Sequence, residues 1–477
     1  MVLSVYNLDD GNALSSIMLH LSKWVKRDDD TKKTVLLAAL SAYLHNEESG
    51  PCNVFLRGPP SIGKSFVVKQ VLTRYFPRGD YHLIKHLTPR ALSYLPSYLE
   101  DEYGEIIPEP TEDMSDEEIL EIKRRLKKAV KVVMLDNKIL ALLEEPEKQT
   151  LDKLKPILSH DAYETEEFTV DKAVGERSMM KGVRIKVKGW PCAIFCSTES
   201  KTLEEMSSRG VTLTPEMLPE KYKEGIASIF YYASRVKVST DPIQDIIRQH
   251  ILSVRDYAST IVDVLPPFAD LIAPHWPYSM GRFARDADHF LKLIKSCTLL
   301  EYKARPRIRA GKDWYLISAI PDFKTVAQTF VKIEETTVTG VSRHLLDFYH
   351  SILEPYKGKE SLSYAYLVNI YRQVYGKPIS KETIRSKYIK PLQDIGFVDI
   401  EPDPTDSRKN VVEVVDTTQD KLIKYTEAVE SFNIDDFRKW LIDNVNRIGE
   451  IKLYGPDNNE VDEVTFFKMI VGGKNHD

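Results

Sequence analysis

Residues 58–65 read Gly58-Pro59-Pro60-Ser61-Ile62-Gly63-Lys64-Ser65 and fit G-x-x-x-x-G-K-[ST] in full. Each fixed position has a chemical reason. The glycines allow backbone N–H groups to turn inward around a phosphate. A helix that starts at the end of the loop aims its positive dipole end at the same place. Lys64 supplies a point charge for β- and γ-phosphates, and the Ser65 hydroxyl is a ligand for Mg²⁺. Residues Gly58, Pro59, Pro60, Ser61, Ile62, Gly63, Lys64, Ser65 and Phe66 are therefore the candidate site for ATP with Mg²⁺.

Such a loop needs a carboxylate on a neighbouring strand to hold the metal. Val132–Asp136 is an apolar run that ends in one, so Asp136 is the expected second metal residue. Asn137 follows it. Asparagine can position a water but cannot accept its proton. Either hydrolysis is slow, or another carboxylate such as Glu144 or Glu145 stands in. A third strand, Ala193–Thr198, ends in Ser197-Thr198-Glu199. Thr198 there would contact the γ-phosphate or the attacking water, or else satisfy its own turn.

The surrounding sequence supplies elements to carry these residues. Residues 12–46 read as helix, with Leu14, Ile17, Met18 and Leu21 at helical spacing. Asn53–Arg57 is a short strand before the loop, and Ser65–Phe76 is an amphipathic helix after it, stopped by Pro77. Ser115-x-x-Glu118 is a capping box that opens a helix. Lys138–Leu158 reads as helix, and helices dominate from Pro219 to Tyr302.

With these motifs in place, residues 12–330 resemble the AAA+ helicases grouped with superfamily 3 and the minichromosome-maintenance helicases, in particular the ATPase modules found beside primases of viruses and mobile elements. The resemblance rests on the phosphate loop, the helix Val35–His45 before it, Leu87–Leu92, Leu154–Asp161 with Tyr163, and Trp190-Pro191 before the third strand. It implies an α/β P-loop AAA+ domain, a parallel sheet with flanking helices and a helical lid. It also implies a β-hairpin before the sensor 1 strand that points into a ring and grips DNA. The matching segment, Glu167–Lys188, carries Arg177, Lys181, Arg184 and Lys186. The family further supplies arginines that touch nucleotide at a subunit boundary. Arg209 is the candidate finger, and Arg282 and Arg285 are the sensor 2 candidates. A finger acting in trans requires a homo-oligomer, most often a hexamer in this family.

The last third differs in style. Leu362–Val415 reads as a winged helix. Ser380 caps its second helix, which presents Lys381, Arg385 and Lys387 on the outward face, as a helix in the major groove must. Arg408 and Lys409 lie near the wing tip, and Pro391 is expected to shorten or kink the helix. Winged helices also dock proteins, and both uses stay open. Residues 419–477 form a mainly helical tail to which no role is assigned.

Composition sets the bounds. The chain of 477 residues has a net charge of −5, so polyanion binding must come from local patches. No apolar run reaches the roughly 18 residues needed to span a bilayer, and no basic-then-apolar leader opens the chain. The four cysteines show no zinc spacing. The expected protein is thus soluble and cytoplasmic. It divides into N-terminal helices (1–50), ATPase core (51–220), helical lid (221–335), winged helix (336–418) and tail (419–477). The expected activity is ATP hydrolysis by a DNA helicase or helicase-like replication ATPase that contacts single-stranded and duplex DNA. A primase, if it partners this chain, is expected as a separate protein. The alternatives are an initiator or loader that uses ATP as a slow switch, and a signalling or transposition-type ATPase.

Overall fold

The computed structural model describes residues 6–44, 50–87, 95, 97–111, 114–126, 128–158, 160, 162–172, 180–198, 209–236, 241–276, 281–337, 345, 348–357, 361–394, 397–403, 406–414 and 418–472. Five parallel strands make its centre: β1 (Val54–Leu56), β2 (Tyr81–Ile84), β6 (Ile139–Leu142), β9 (Cys192–Cys196) and β10 (Val211–Leu213). They form one sheet in the order β10-β1-β9-β6-β2. β1, β6, β9 and β10 are buried throughout, as strands of a parallel sheet covered on both faces must be. Their alternate residues point opposite ways. Val54, Leu56, Ile139 and Ile194 join a core with α2 (Asp29–Ser41) and α3 (Lys64–Tyr75). Phe55, Leu140, Leu142 and Phe195 join a second core with α5 (Lys148–Leu158). Phe55 stacks on Phe195 at 4.8 Å. The N-terminal helix α1 (Ala13–Leu21) is held by the buried Glu301 carboxylate, which accepts the N–H groups of Ala13 at 3.0 Å and Leu14 at 2.8 Å.

A second sheet holds β3 (Ser97–Glu100), β4 (Ile106–Ile107), β5 (Val130–Met134), β7 (Glu164–Lys172) and β8 (Met180–Lys188). It runs in the order β4-β3-β5-β8-β7. β7 and β8 form an antiparallel hairpin from Glu164↔Lys188 to Lys172↔Met180. Its register extends three residues further on β7 than the sequence suggested. The capping box at Ser115 is present: Glu118 Oε2 accepts the Ser115 N–H at 2.8 Å and opens α4 (Asp116–Leu126).

One expectation fails here. Val132–Asp136 does not enter the parallel sheet, because β5 pairs with β3 and β8 in the second one. The strand beside β9 is Ile139–Leu142, inside a stretch that reads as helix from sequence. Asp136 and Asn137 form the turn between the two sheets, with Asn137 at φ +58°.

The next region combines α6 (Pro219–Ala233), α7 (Pro242–Ala258), α8 (Gly281–Leu300) and α9 (Ile320–Thr337) with a small sheet. The strands are β11 (Asp263–Leu265), β12 (Arg307–Ala310), β13 (Asp313–Ile317) and β17 (Ile451–Tyr454), in the order β11-β13-β12-β17. β17 comes from the C-terminal tail, pairing Ile308 with Leu453. The tail helix α12 (Thr418–Glu430) packs on α9. The described tail, residues 418–472, is therefore part of this region, and the segment between α9 and α12 is an insertion.

That insertion has its own core, built on Phe348, Tyr349, Leu367, Ile384, Ile389 and Val412 among others. Its antiparallel sheet consists of β14 (Leu362–Ser363), β15 (Val398–Asp403) and β16 (Asp406–Val414), ordered β14-β16-β15. α10 (Tyr364–Tyr375) follows β14, and α11 follows at Lys381–Ile384, Arg385–Ile389 and Lys390–Asp394. Ser380 caps α11 through the Thr383 N–H at 3.0 Å. The middle piece of α11 is a π turn directly before Pro391, where the wider turn makes room for a ring that cannot donate. Among the described residues no helix is long and apolar enough to cross a membrane.

Candidate nucleotide site

The phosphate loop leaves the carboxyl end of β1 and enters α3. Arg57 N–H donates to Leu213 O at 2.9 Å, which fixes where the loop departs. Gly58 sits at φ +126°, Ser61 at +66° and Gly63 at +96°. A Cβ on Gly58 would come within 2.7 Å of Ile62 Cδ1, so the loop closes tightly over its own apolar residue. No acidic residue stands in the first turn of α3, which leaves its amide donors to an anion. The Lys64 ammonium folds into the loop and donates to the carbonyls of Gly58 at 2.6 Å and Pro59 at 2.7 Å. Burial lowers its pKa. A phosphate would offer that buried ammonium a formal charge in place of two carbonyl dipoles, so the cradle fits the group the motif implies.

Ser65 Oγ donates to the Leu143 carbonyl at 3.2 Å. Leu143 directly follows β6, and Glu144 and Glu145 come next. Glu144 is exposed and lies 3.7 Å from Lys85 and 3.4 Å from His86. β9 lies between β1 and β6, so its end, with buried Ser197 and exposed Thr198, falls between the phosphate loop and this carboxylate pair. Ser197 N–H donates to Leu56 O at 3.0 Å. Cys196, the last residue of β9, has its thiol pushed up to about 11 by burial, with Ser65 and Lys64 acting in the opposite sense.

Asp136 belongs elsewhere. Its carboxylate accepts from Tyr163 Oη and, at 3.2 Å, from the Trp190 N–H. A Cβ on Gly189 would collide with the Asp136 carboxylate, so the turn is packed around it. Neither Asp136 nor Asn137 stands beside Ser65 in the sheet order. Beside β9 the sheet instead places Ile139–Leu142, an apolar run that continues through Leu143 into Glu144 and Glu145, the carboxylates the sequence offers as stand-ins for Asn137.

Arg209 does not extend outward. Its Nη1 donates to the Lys155 carbonyl at 3.0 Å, and its own carbonyl accepts from Asn53 at 3.1 Å. Arg285 is exposed on α8, and the side chain of Arg282 lies outside the described residues. On the hairpin, Lys186 and Lys188 are engaged. Lys188 Nζ stands 2.7 Å from Glu100, which is only 3% exposed, and Lys186 Nζ stands 3.1 Å from Glu164. Burial pushes the Glu100 carboxyl up, but bonds from Lys188 and Tyr98 outweigh it and hold the group below its ordinary range. Lys181 and Arg184 take their places on β8 opposite Asp171 and Phe168, while Arg177 and the side chains of Lys181 and Arg184 fall outside the described residues. In the inserted unit Lys381, Arg385 and Lys387 are exposed on α11; Arg408 and Lys409 lie on β16, their side chains not among those described.

Beside the loop is a cavity of about 620 Å³. Trp24, Val25, Phe66, Tyr222, Ile226 and Tyr232 line it, with Ser61–Gly63 along one side. Its walls are aromatic and aliphatic, matched to a flat heterocycle. Phe66, in α3, is among the residues expected from the loop; the loop motif gave no sign of the others, which come from the α1–α2 connection and from α6.

No family model and no curated protein matches this chain. Among solved structures it is similar to SCCmec type IV Cch, an active helicase, with a TM-score of 0.33 and 9% identity across 85% of this chain and 70% of that one. It is also similar to the Aeropyrum pernix ORC1 protein in complex with DNA, with a TM-score of 0.23 and 16% identity across 86% of this chain and 93% of that one. Overlaps this slight carry less than the strand order itself, in which a phosphate loop after β1 and a glutamate pair after β6 flank the polar end of β9 in one parallel sheet.

Proposed function

We propose that this chain is an ATPase of the AAA+ type that acts on DNA. The observation that carries the proposal is the hydroxyl of Ser65 bonded to the residue that precedes Glu144–Glu145. Ser65 and one of these glutamates would hold Mg²⁺, which would neutralise charge on the phosphates. The other glutamate accepts a proton from an attacking water, a task that Asn137 could not perform. Lys64 exchanges its two loop carbonyls for phosphate oxygens. The apolar cavity between Trp24 and Tyr222 takes the base.

The basic hairpin and the inserted unit support DNA as the partner. The order of elements in that unit, β14, α10, α11, β15, β16, with sheet order β14-β16-β15, supports the winged-helix reading, and α11 presents Lys381, Arg385 and Lys387 to solvent. On this reading the hairpin meets a strand through Arg177, Lys181 and Arg184, since Lys186 is paired. A ring would bring Arg285 or Arg282 to a neighbouring nucleotide. The loader or switch reading draws support from Arg209, whose bond to Lys155 within its own chain opposes a finger in trans. The deciding measurement is ATPase activity with and without single-stranded DNA, for the wild type and for Arg177→Ala/Lys181→Ala. A motor shows strand stimulation that the double variant loses together with unwinding. Equal rates with and without DNA support the switch.

A further inference from the structure

Lys221 is buried in the first turn of α6, where a lysine at a solvated helix start has no reason to be. Its ammonium donates to the carbonyls of Ile62 at 2.8 Å and Glu216 at 3.0 Å, and it pairs with Asp28 at 2.5 Å. Asp28 is 1% exposed and stands at φ +56° just before α2. Its other oxygen accepts the Glu216 N–H at 2.7 Å. One buried ion pair thus joins the N-terminal helices, the phosphate loop and α6.

The contact with Ile62 matters most. Ile62 lies between Ser61 and Gly63, both at positive φ, so the direction of its peptide is not set by a regular element. In a trans peptide the C=O and the following N–H point opposite ways. Holding the Ile62 carbonyl on Lys221 turns the Gly63 N–H away from Lys221, to the far side of the peptide. A phosphate loop works by aiming such amides at an anion.

We propose that Lys221, locked by Asp28, is a positioning residue that sets the Gly63 amide for phosphate, and that the same pair forms the floor of the base cavity. Both residues line that cavity. Seating a base against α6 therefore steadies the residue that orients the loop. The inference rests on the nucleotide-site reading above.

The test compares Lys221→Met with the double variant Lys221→Met/Asp28→Asn, which leaves no unpaired buried charge. Affinities for ATP and for adenosine are measured by competition against a fluorescent ATP analogue, and Tm is recorded in parallel. Loss of one amide donor to a charged phosphate is expected to weaken ATP by about tenfold or more beyond whatever adenosine loses at the cavity floor, in both variants. A mere staple between elements would lower Tm and keep the ratio of ATP to adenosine affinity. An unchanged ratio in the double variant overturns the inference. If the wild type binds no ATP, or Lys64→Ala binds it equally well, the nucleotide-site reading itself is lost.

Discussion

Ser65 Oγ rests 3.2 Å from the carbonyl of Leu143, and this bond joins the phosphate loop to the strand that delivers two glutamates. Replacing Glu145 or Glu144 by glutamine is expected to cut turnover by about a hundredfold in at least one case, since a positioned base contributes on that order. Asp136→Asn should lower stability through the Tyr163 and Trp190 bonds and leave turnover within a few-fold. Steady-state ATPase rates check this; a large loss from Asp136→Asn alone would return the metal role to that residue.

Lys64→Ala removes the ammonium that closes on Gly58 and Pro59. Nucleotide affinity should fall below detection in a titration with MgATP, while Tm without nucleotide changes little, because the carbonyls it leaves behind can turn to water. Retained affinity would mean that the cradle does not bind phosphate.

Lys188→Met takes from the nearly closed Glu100 its nearest cation, leaving Lys186 at 3.8 Å and the Tyr98 hydroxyl. Urea unfolding should show a loss of about 2–3 kcal/mol. Adding Glu100→Gln should recover a good part of it. If the single variant is neutral, the hairpin base is not held by this pair.

Burial, followed by the charge of Lys292, pulls the His160 imidazole down to about 3 from its ordinary 6.5. The folded protein thus keeps the ring neutral where the unfolded chain protonates it. This stability is fully present above pH 6.5 and is lost as pH falls toward 3, with a slope of at most ~1.4 kcal/mol per pH unit. Denaturation curves for wild type and His160→Gln should converge in slope above about pH 7 and diverge below about 6. Parallel curves at all pH values would refute it.

Replacing 338–417 by a short linker that joins α9 to α12 should remove duplex binding and keep basal ATPase activity. Short of deletion, Lys381→Ala/Arg385→Ala/Lys387→Ala should flatten the salt dependence of duplex affinity. The log–log slope should fall by about 0.9 for each phosphate no longer neutralised. An unchanged slope favours protein docking.

Much of the site was legible in the sequence. The loop, its flanking strand and helix, the hairpin and the Ser380 cap all stand where local chemistry put them. Which strand stands beside β9 was not legible, for a physical reason. Val130-Lys-Val-Val-Met134 is rich in β-branched residues and reads as a strand; Ile139-Leu-Ala-Leu142 is made of residues that suit helices as well, and four apolar residues cannot tell the two apart. Both segments are strands, and only pairing decides which enters the sheet of β1. Lys221 and Asp28 were hidden for another reason, since an ion pair between residues so far apart in the chain leaves no local pattern. Likewise, nothing in Ile451–Tyr454 announces a partner as distant as β12.

That last pairing orders events on the ribosome. β12 is complete at Ala310, yet the strand that covers its outer edge emerges only after Gly311–Glu450 has been synthesised, the inserted unit included. At roughly 5–20 residues per second, a nascent chain presents an open backbone edge for many seconds. An uncovered edge is a template for pairing with other chains. Ribosomes that stall or terminate before Ile451 therefore release a product with this edge exposed, and nascent chains on one messenger are at risk of joining through it.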